Sequence, residues 1–236
     1  MRVEPHTIGS FMHILKRGAR GLPITKDEVD RRRFARLLYF MNDEYSNDDW
    51  ERETKGLGMF GRPMIWSQRK PLVKILAWVL MPNHFHLLVK VIKKGGLAKF
   101  MQKLSCSMST HANLKYKEKG SLFQGSYRGK NVAEDRYLRY LAPYIMTKNV
   151  FELYPKGFSS AVKEFNQAWN WAIEEYRFSS LADYAMSRSS PIIDKDILGE
   201  IFDSPSEFCE CARDMVLGRR LDGDIEELPA SFALDA

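Results

Sequence analysis

Cysteine is scarce in this chain: Cys106, Cys209 and Cys211 are the only three. An odd, sparse set cannot build a disulfide framework and fits a reducing, cytoplasmic setting. Cys209 and Cys211 form a lone Cys-x-Cys with no second Cys or His pair nearby, which argues against a zinc site. Long apolar runs are missing too. None approaches the roughly 18–20 residues that span a bilayer, so no membrane partner is expected. Met1–Ser10 lacks the apolar core of a signal peptide. No internal repeat is present. The most informative shortage is of acidic residues. Between Lys55 and Lys130 there are 15 Lys and Arg and a single acid, Glu118.

That shortage is hidden by the overall charge of +6. Residues 1–150 carry 28 basic and 13 acidic side chains, a net of +15, whereas residues 151–186 carry −2 and residues 187–236 carry −7. A basic front with an acidic rear predicts a polyanion partner for the front, most simply nucleic acid. An aromatic content of 12% is too high for a disordered chain, and 236 residues suffice for one sizeable core but not two full domains.

The apolar periodicity predicts an order of elements. Ser10–Lys16 reads as a strand ending at Arg17-Gly18. Thr25 to Glu28 reads as a capping box opening a helix to about Asn42, with Val29, Phe34, Leu37, Leu38 and Met41 on its buried stripe and Arg31, Arg32, Arg33 and Arg36 outside. Residues 43–70 read as an irregular insertion. Leu72–Leu80 is apolar enough for a central strand, and His84–Ile92 follows it across a Pro82-Asn83 turn. A helix is expected from Gly96 to about Lys119, a strand or hairpin within Ser121–Val132, and a helix over Ala133–Val150. Beyond Pro155 the pattern is helical: Phe158–Tyr176, then a helix from the Ser204 to Glu207 capping box to about Leu217. This order predicts an α+β fold, a ferredoxin-like antiparallel β-sheet backed by helices, with a helical C-terminal extension. The expected divisions are residues 8–155 for the main domain, 156–218 for the extension packed on it, and 219–236 for an acidic, flexible tail.

His84 and His86 are the most informative residues. Two apart on a strand, they share one face about 7 Å apart and can converge on one divalent ion, with Phe85, Leu87 and Val89 on the other face. A His-x-His arises often enough by chance to be weak alone, and its plain alternative is a solvated strand face. Its basic surroundings strengthen it, because a metal in a positive field suits a phosphodiester. Tyr137, Tyr140 and Tyr144 lie near one face of the following helix and are candidate nucleophiles, with amphipathic rim tyrosines the plainer reading for Tyr137 and Tyr140. Arg128 and Lys130 flank Tyr127, interleaving cations with an aromatic as a single-strand platform does. Lys93, Lys94, Lys99 and Lys103 sit on or beside one helix and read either as a DNA-backbone surface or as an ordinary solvated face.

Three segments carry a resemblance. MPNHFHLLV (Met81–Val89), LFQG (Leu122–Gly125), and YLRYLAPYI with Lys148 and Asn149 after it (Tyr137–Asn149) resemble the single-tyrosine HUH transposases, in particular the REP-associated tyrosine transposases. His13–Gly21 is similar to their first strand and its Arg-Gly turn. The resemblance spans about residues 8–186 and implies an HUH endonuclease domain. It implies that Tyr144 is the nucleophile on single-stranded or hairpin DNA, that His84 and His86 hold Mg²⁺ or Mn²⁺, and that a 5′-phosphotyrosine intermediate allows rejoining without ATP. Asn83 and Gln124 fall in motif positions that orient ligands or DNA. A homodimer is compatible with the family.

Two departures stand out. The family's third metal ligand falls on Lys148, a cation that cannot ligate; Asn149, one residue on, substitutes if the helix is tightened or bulged there, with His13 a weaker stand-in. Lys148 then faces the scissile phosphate or is a helix-end charge. Pro143, directly before Tyr144, should kink or break the helix. The expected DNA contacts are Arg17, Lys93, Lys94, Lys99, Lys103, Gln124, Tyr127, Arg128, Lys130 and Lys148. The rival expectations are a non-catalytic nucleic-acid-binding protein of the same fold, and a metallohydrolase that uses water.

Overall fold

In the computed structural model, which describes residues 3–186 and 188–218, four strands form one antiparallel sheet: β1 (Phe11–Arg17), β2 (Val73–Leu80), β3 (His84–Val91) and β4 (Arg128–Val132). Their spatial order is β2-β3-β1-β4. Helices α1 (Glu28–Phe40) and α3 (Gly96–Tyr116) connect β1 to β2 and β3 to β4, and a short α2 (Trp50–Glu53) lies in the 43–70 insertion. This is the α+β, ferredoxin-like arrangement expected from the element order.

The sheet is covered on both faces. Met12, Ile14, Trp78, Phe85, Leu87 and Val89 pack with Phe34, Leu37 and Leu38 of α1 and Leu97, Phe100 and Leu104 of α3. The opposite face sends Val79, Leu88 and Val132 against the C-terminal half of the chain. That half comprises α4 (Asp135–Pro143), a π turn (Tyr144–Lys148), α5 (Asn149–Phe151), α6 (Phe158–Lys163), α7 (Phe165–Glu174), α8 (Leu181–Ala185), α9 (Ile197–Ile201) and α10 (Pro205–Val216). Burial on both sides is why β2 and β3 carry almost no polar alternation. A register shift between Ile75 and Ala77 adds one residue to β2. It turns both Leu76 and Ala77 toward the C-terminal helices.

Several sequence expectations change. β2 is not central: it is the edge of the four-stranded ladder. Its outer edge is closed by the later chain, which explains the apolar sequence. Leu80 N donates to Phe178 O at 2.9 Å, Ser180 N to Trp78 O at 2.9 Å, Tyr184 Oη to Leu76 O at 2.8 Å and Asp194 N to Ile75 O at 2.9 Å. The cap of α1 is Asp27, whose side chain accepts from Asp30 N at 2.9 Å, rather than Thr25 with Glu28. Val29 is 61% exposed and off the buried stripe, while Arg33, expected outside, has a side chain only 10% exposed, paired with Glu51 and set over the Trp50 ring. α3 stops at Tyr116 because Lys117 turns left-handed, φ 54°. Phe158–Tyr176 is two helices divided at Glu164. Ser204 caps α10 as expected, accepting from Glu207 N at 3.2 Å. The tail expected over 219–236 lies outside the described residues. Among the described residues, no helix is long and apolar enough to cross a membrane.

One ion cluster ties the extension to the sheet. Lys74 and Lys90 are directly opposed across β2 and β3, a repulsive pairing by itself. Asp196 accepts from both, at 2.8 and 2.7 Å, and holds a left-handed backbone with φ 43° to do so. Despite its burial, which acts to raise it, the two lysines and the Ile197 amide hold its carboxyl down at about 2.

Candidate active site

Strand register arranges the site in rows. On β3, His84, His86 and Leu88 face the C-terminal helices, and β1 sets Arg17, Leu15 and His13 opposite them in that order. β4 continues two of the rows, with Arg128 opposite Leu15 and Lys130 opposite His13. Arg17, Arg128, His84 and His86 therefore share one face near one end of the sheet.

The two histidines of the His-x-His are held differently. His84 is half-buried, and its Nδ1 lies 2.7 Å from Asn83 Oδ1. Asn83 Nδ2 donates to Gly21 O at 3.2 Å, which fixes the amide's orientation. The Oδ1 can only accept, so Nδ1 of His84 carries a proton. The Arg-Gly turn after β1 supports this: Gly18 N donates to Asn83 O at 2.7 Å. A Cβ at Gly18 would stand 2.1 Å from Leu22 O, so only glycine fits there. The two turns expected from sequence thus grip one another and aim His84. His86 is fully buried, and its Nδ1 lies 2.9 Å from His13 Nε2.

Tyr144 reaches this group from the opposite layer. Its ring stands edge-on to His13 and His86, with centroids 6.4 and 6.2 Å away, and it is 7% exposed. Pro143 does not break the helix. It ends α4, and the chain widens into the π turn Tyr144–Lys148 before continuing as α5. Proline has no N–H for the carbonyl of Arg139, four residues back, and Cys211 Sγ lies 3.5 Å from that oxygen. Asn149 N–H then bonds Tyr144 O, five residues back, and Asn149 Nδ2 also donates to it at 3.1 Å. A π turn adds a residue to the helical repeat, so Asn149 rather than Lys148 stacks on Tyr144. Lys148 instead places its ammonium 5.1 Å from the Tyr144 ring centroid and pairs with Glu152 at 2.7 Å. Tyr137 and Tyr140 lie partly buried against the same core.

As a metal site the donor set is suitable but small. The His84 and His86 rings have centroids 5.0 Å apart, a separation compatible with two imidazoles sharing one ion at bond lengths of about 2 Å. Among the described residues, no group of three or more His, Cys, Asp and Glu side chains is placed to hold a metal. A third protein donor would have to be an amide. Asn149 directs its amide nitrogen into its own helix, which leaves the oxygen as its ligating atom.

The expected DNA contacts divide. Arg17, Arg128 and Lys130 lie on the histidine face, although Lys130 pairs with Glu4 at 2.7 Å. Gln124 is exposed beside them, its backbone N–H donating to Arg17 O at 2.9 Å. Tyr127 is half-buried against the other core, and burial raises its phenol. Lys93, Lys94, Lys99 and Lys103 are carried at and along the start of α3, behind the sheet from the histidines. Lys93 pairs with Glu44 at 2.5 Å. Lys103 donates to Asp43 O and Tyr45 O, and burial lowers its pKa, so it serves the 43–70 insertion. Lys94 and Lys99 are exposed. His13, weighed from sequence only as a stand-in ligand, proves to be the partner of His86; its position two residues from Leu15 on an apolar strand was the available signal.

A buried tyrosine thus stands edge-on to the His13 and His86 rings on one face of a ferredoxin-like α+β sheet. Residues 66–148 match the family model described as transposase IS200 like. That stretch is similar to the family and contains His84, His86 and Tyr144. Among solved structures, a REP-associated tyrosine transposase bound to a REP hairpin is 12% identical, covers 82% of this chain and 90% of its own, and has a TM-score of 0.42. No curated protein matches the chain.

Proposed function

We propose that this protein is a metal-dependent tyrosine transposase and site-specific nickase that cleaves and rejoins single-stranded or hairpin DNA. The observation that carries the reading is the meeting of Tyr144 with His13 and His86 at one buried point, Tyr144 and His86 lying inside the segment that matches the transposase family. Tyr144 Oη attacks the scissile phosphorus and forms a 5′-phosphotyrosine, and the 3′-oxygen leaves to become a hydroxyl. The phenol proton passes to a neighbouring base. A divalent Mg²⁺ or Mn²⁺, held by the Nε2 atoms of His84 and His86 and by the Asn149 amide oxygen, would supply the Lewis acid that polarises the phosphate. Asn83 aims His84, while Arg17 and Arg128 receive the DNA backbone beside it. Lys148 holds its ammonium over the Tyr144 ring.

The test is a labelled hairpin oligonucleotide run on a denaturing gel with Mn²⁺. Wild type should form a covalent adduct, and Tyr144→Phe should form none while binding the hairpin unchanged. An adduct from the Phe variant would overturn the assignment. The low exposure of Tyr144 favours a second reading, a non-catalytic DNA-binding protein of the same fold. It predicts hairpin binding and no adduct from wild type with any divalent ion. Cleavage without an adduct would instead support water as the nucleophile.

A further inference from the structure

We infer that His13 is a positioning residue whose hydrogen bond holds the His86 ring in a single orientation, turning Nε2 toward the site. The inference rests on the reading of His86 as a metal ligand, but its geometric part stands without it. His13 and His86 are both fully buried, and their rings stack at 5.2 Å between centroids and 20° between planes. Nε2 of the first and Nδ1 of the second are 2.9 Å apart, so one proton lies between them. When His86 presents the lone pair of Nε2, its Nδ1–H donates to His13.

The register explains how they meet. Leu15 sits directly across from His86, and Leu88 directly across from His13. The two imidazoles are diagonal neighbours, which long planar side chains bridge on one sheet face. A leucine at position 13 would continue the apolar row made by Leu15 and Leu88 and bury no polar atom. A histidine there costs desolvation unless its nitrogens are bonded. Stacking then blocks rotation of the His86 ring, while Asn83 does the same for His84 from the other side. Each member of the His-x-His thus has its own Nδ1 partner, the arrangement by which outer groups fix ligating histidines.

The test uses His13→Leu, which fills the space without the bond, His13→Gln, which keeps a hydrogen-bonding side chain, and His86→Ala. The imidazole nitrogens of His86 are read by ¹⁵N resonance in the metal-free protein, and Mn²⁺ affinity by electron paramagnetic resonance. Wild type should show one His86 tautomer with coupling across the N–H···N bond. His13→Leu should show mixed tautomers and bind Mn²⁺ about 10–100-fold more weakly, and His13→Gln should recover most of that loss. A His13→Leu protein that is folded, with a single His86 tautomer and unchanged Mn²⁺ affinity, overturns the inference. A loss in both His13 variants as deep as in His86→Ala also overturns it, making His13 a ligand. If wild type takes up no Mn²⁺, the metal reading above fails, and the nitrogen resonances alone decide the positioning.

Discussion

The two faces of the sheet are built from the same strands to different ends. Toward α1 and α3, β3 presents Phe85, Leu87 and Val89, a purely apolar set that packs and does nothing else. Toward the C-terminal helices it presents His84 and His86 before returning to apolar Leu88. Each of the two histidines has an Nδ1 partner there: His84 bonds Asn83, and His86 bonds His13. One residue of strand advance separates a packing position from a position of the proposed site, so neighbouring substitutions should have opposite signatures.

The largest expected contrast is between Tyr144→Phe and wild type in adduct formation, a complete loss with little change in thermal stability. Next, Phe85→Ala should cost about 3–5 kcal/mol in denaturant unfolding by opening a cavity behind the sheet. His84→Ala, half-buried one residue away, should cost under about 1 kcal/mol yet remove cleavage. If both variants lose activity only in proportion to stability, the two faces are not functionally distinct.

The far end of the histidine face gives a smaller effect. Asp196 is held low, at about 2, against an ordinary value of 3.8. A depressed carboxyl contributes stability that is full above its unfolded value and is lost as pH falls through the folded one. Wild type should therefore exceed Asp196→Asn by roughly 2 kcal/mol near pH 6, with the gap closing between about pH 4 and pH 2. A pH-independent gap would show that the carboxylate's charge is not what joins Lys74 and Lys90. The smallest effect separates the basic residues by face. Arg17→Gln with Arg128→Gln should lower hairpin affinity and reduce its salt slope by about one per lost phosphate contact, whereas neutralising Lys94 and Lys99 behind the sheet should do so less. A larger effect from the lysines would move the DNA path to the α3 side.

Much of the fold was legible because local physics specifies it. Strand alternation and apolar runs placed β1, β2 and β3 to within a residue or two, and Ser204 to Glu207 marked the start of α10. The errors arose where several local solutions compete. Asp27 and Thr25 both offer cap oxygens, and only the backbone path chooses Asp27. An apolar strand can be central or an edge that later chain covers, and residues 176–194 made β2 the second kind. For the site, His84, His86 and Tyr144 were visible as residue types at meaningful spacing. The distribution of lysines was not, because a charge run does not say which side of a sheet its helix will cover.

The sequence by itself determined the periodicities, the charge asymmetry, the paired histidines of β3 and the proline before Tyr144, since each depends on neighbours within a turn or a strand. Only tertiary structure decided that Pro143 leads into a π turn rather than a break: Asn149 N–H bonds Tyr144 O, five residues back, and Cys211 Sγ of α10 lies 3.5 Å from the Arg139 carbonyl. Only tertiary structure brought His13 to His86, 73 positions apart, because antiparallel register and not spacing sets who faces whom across a sheet.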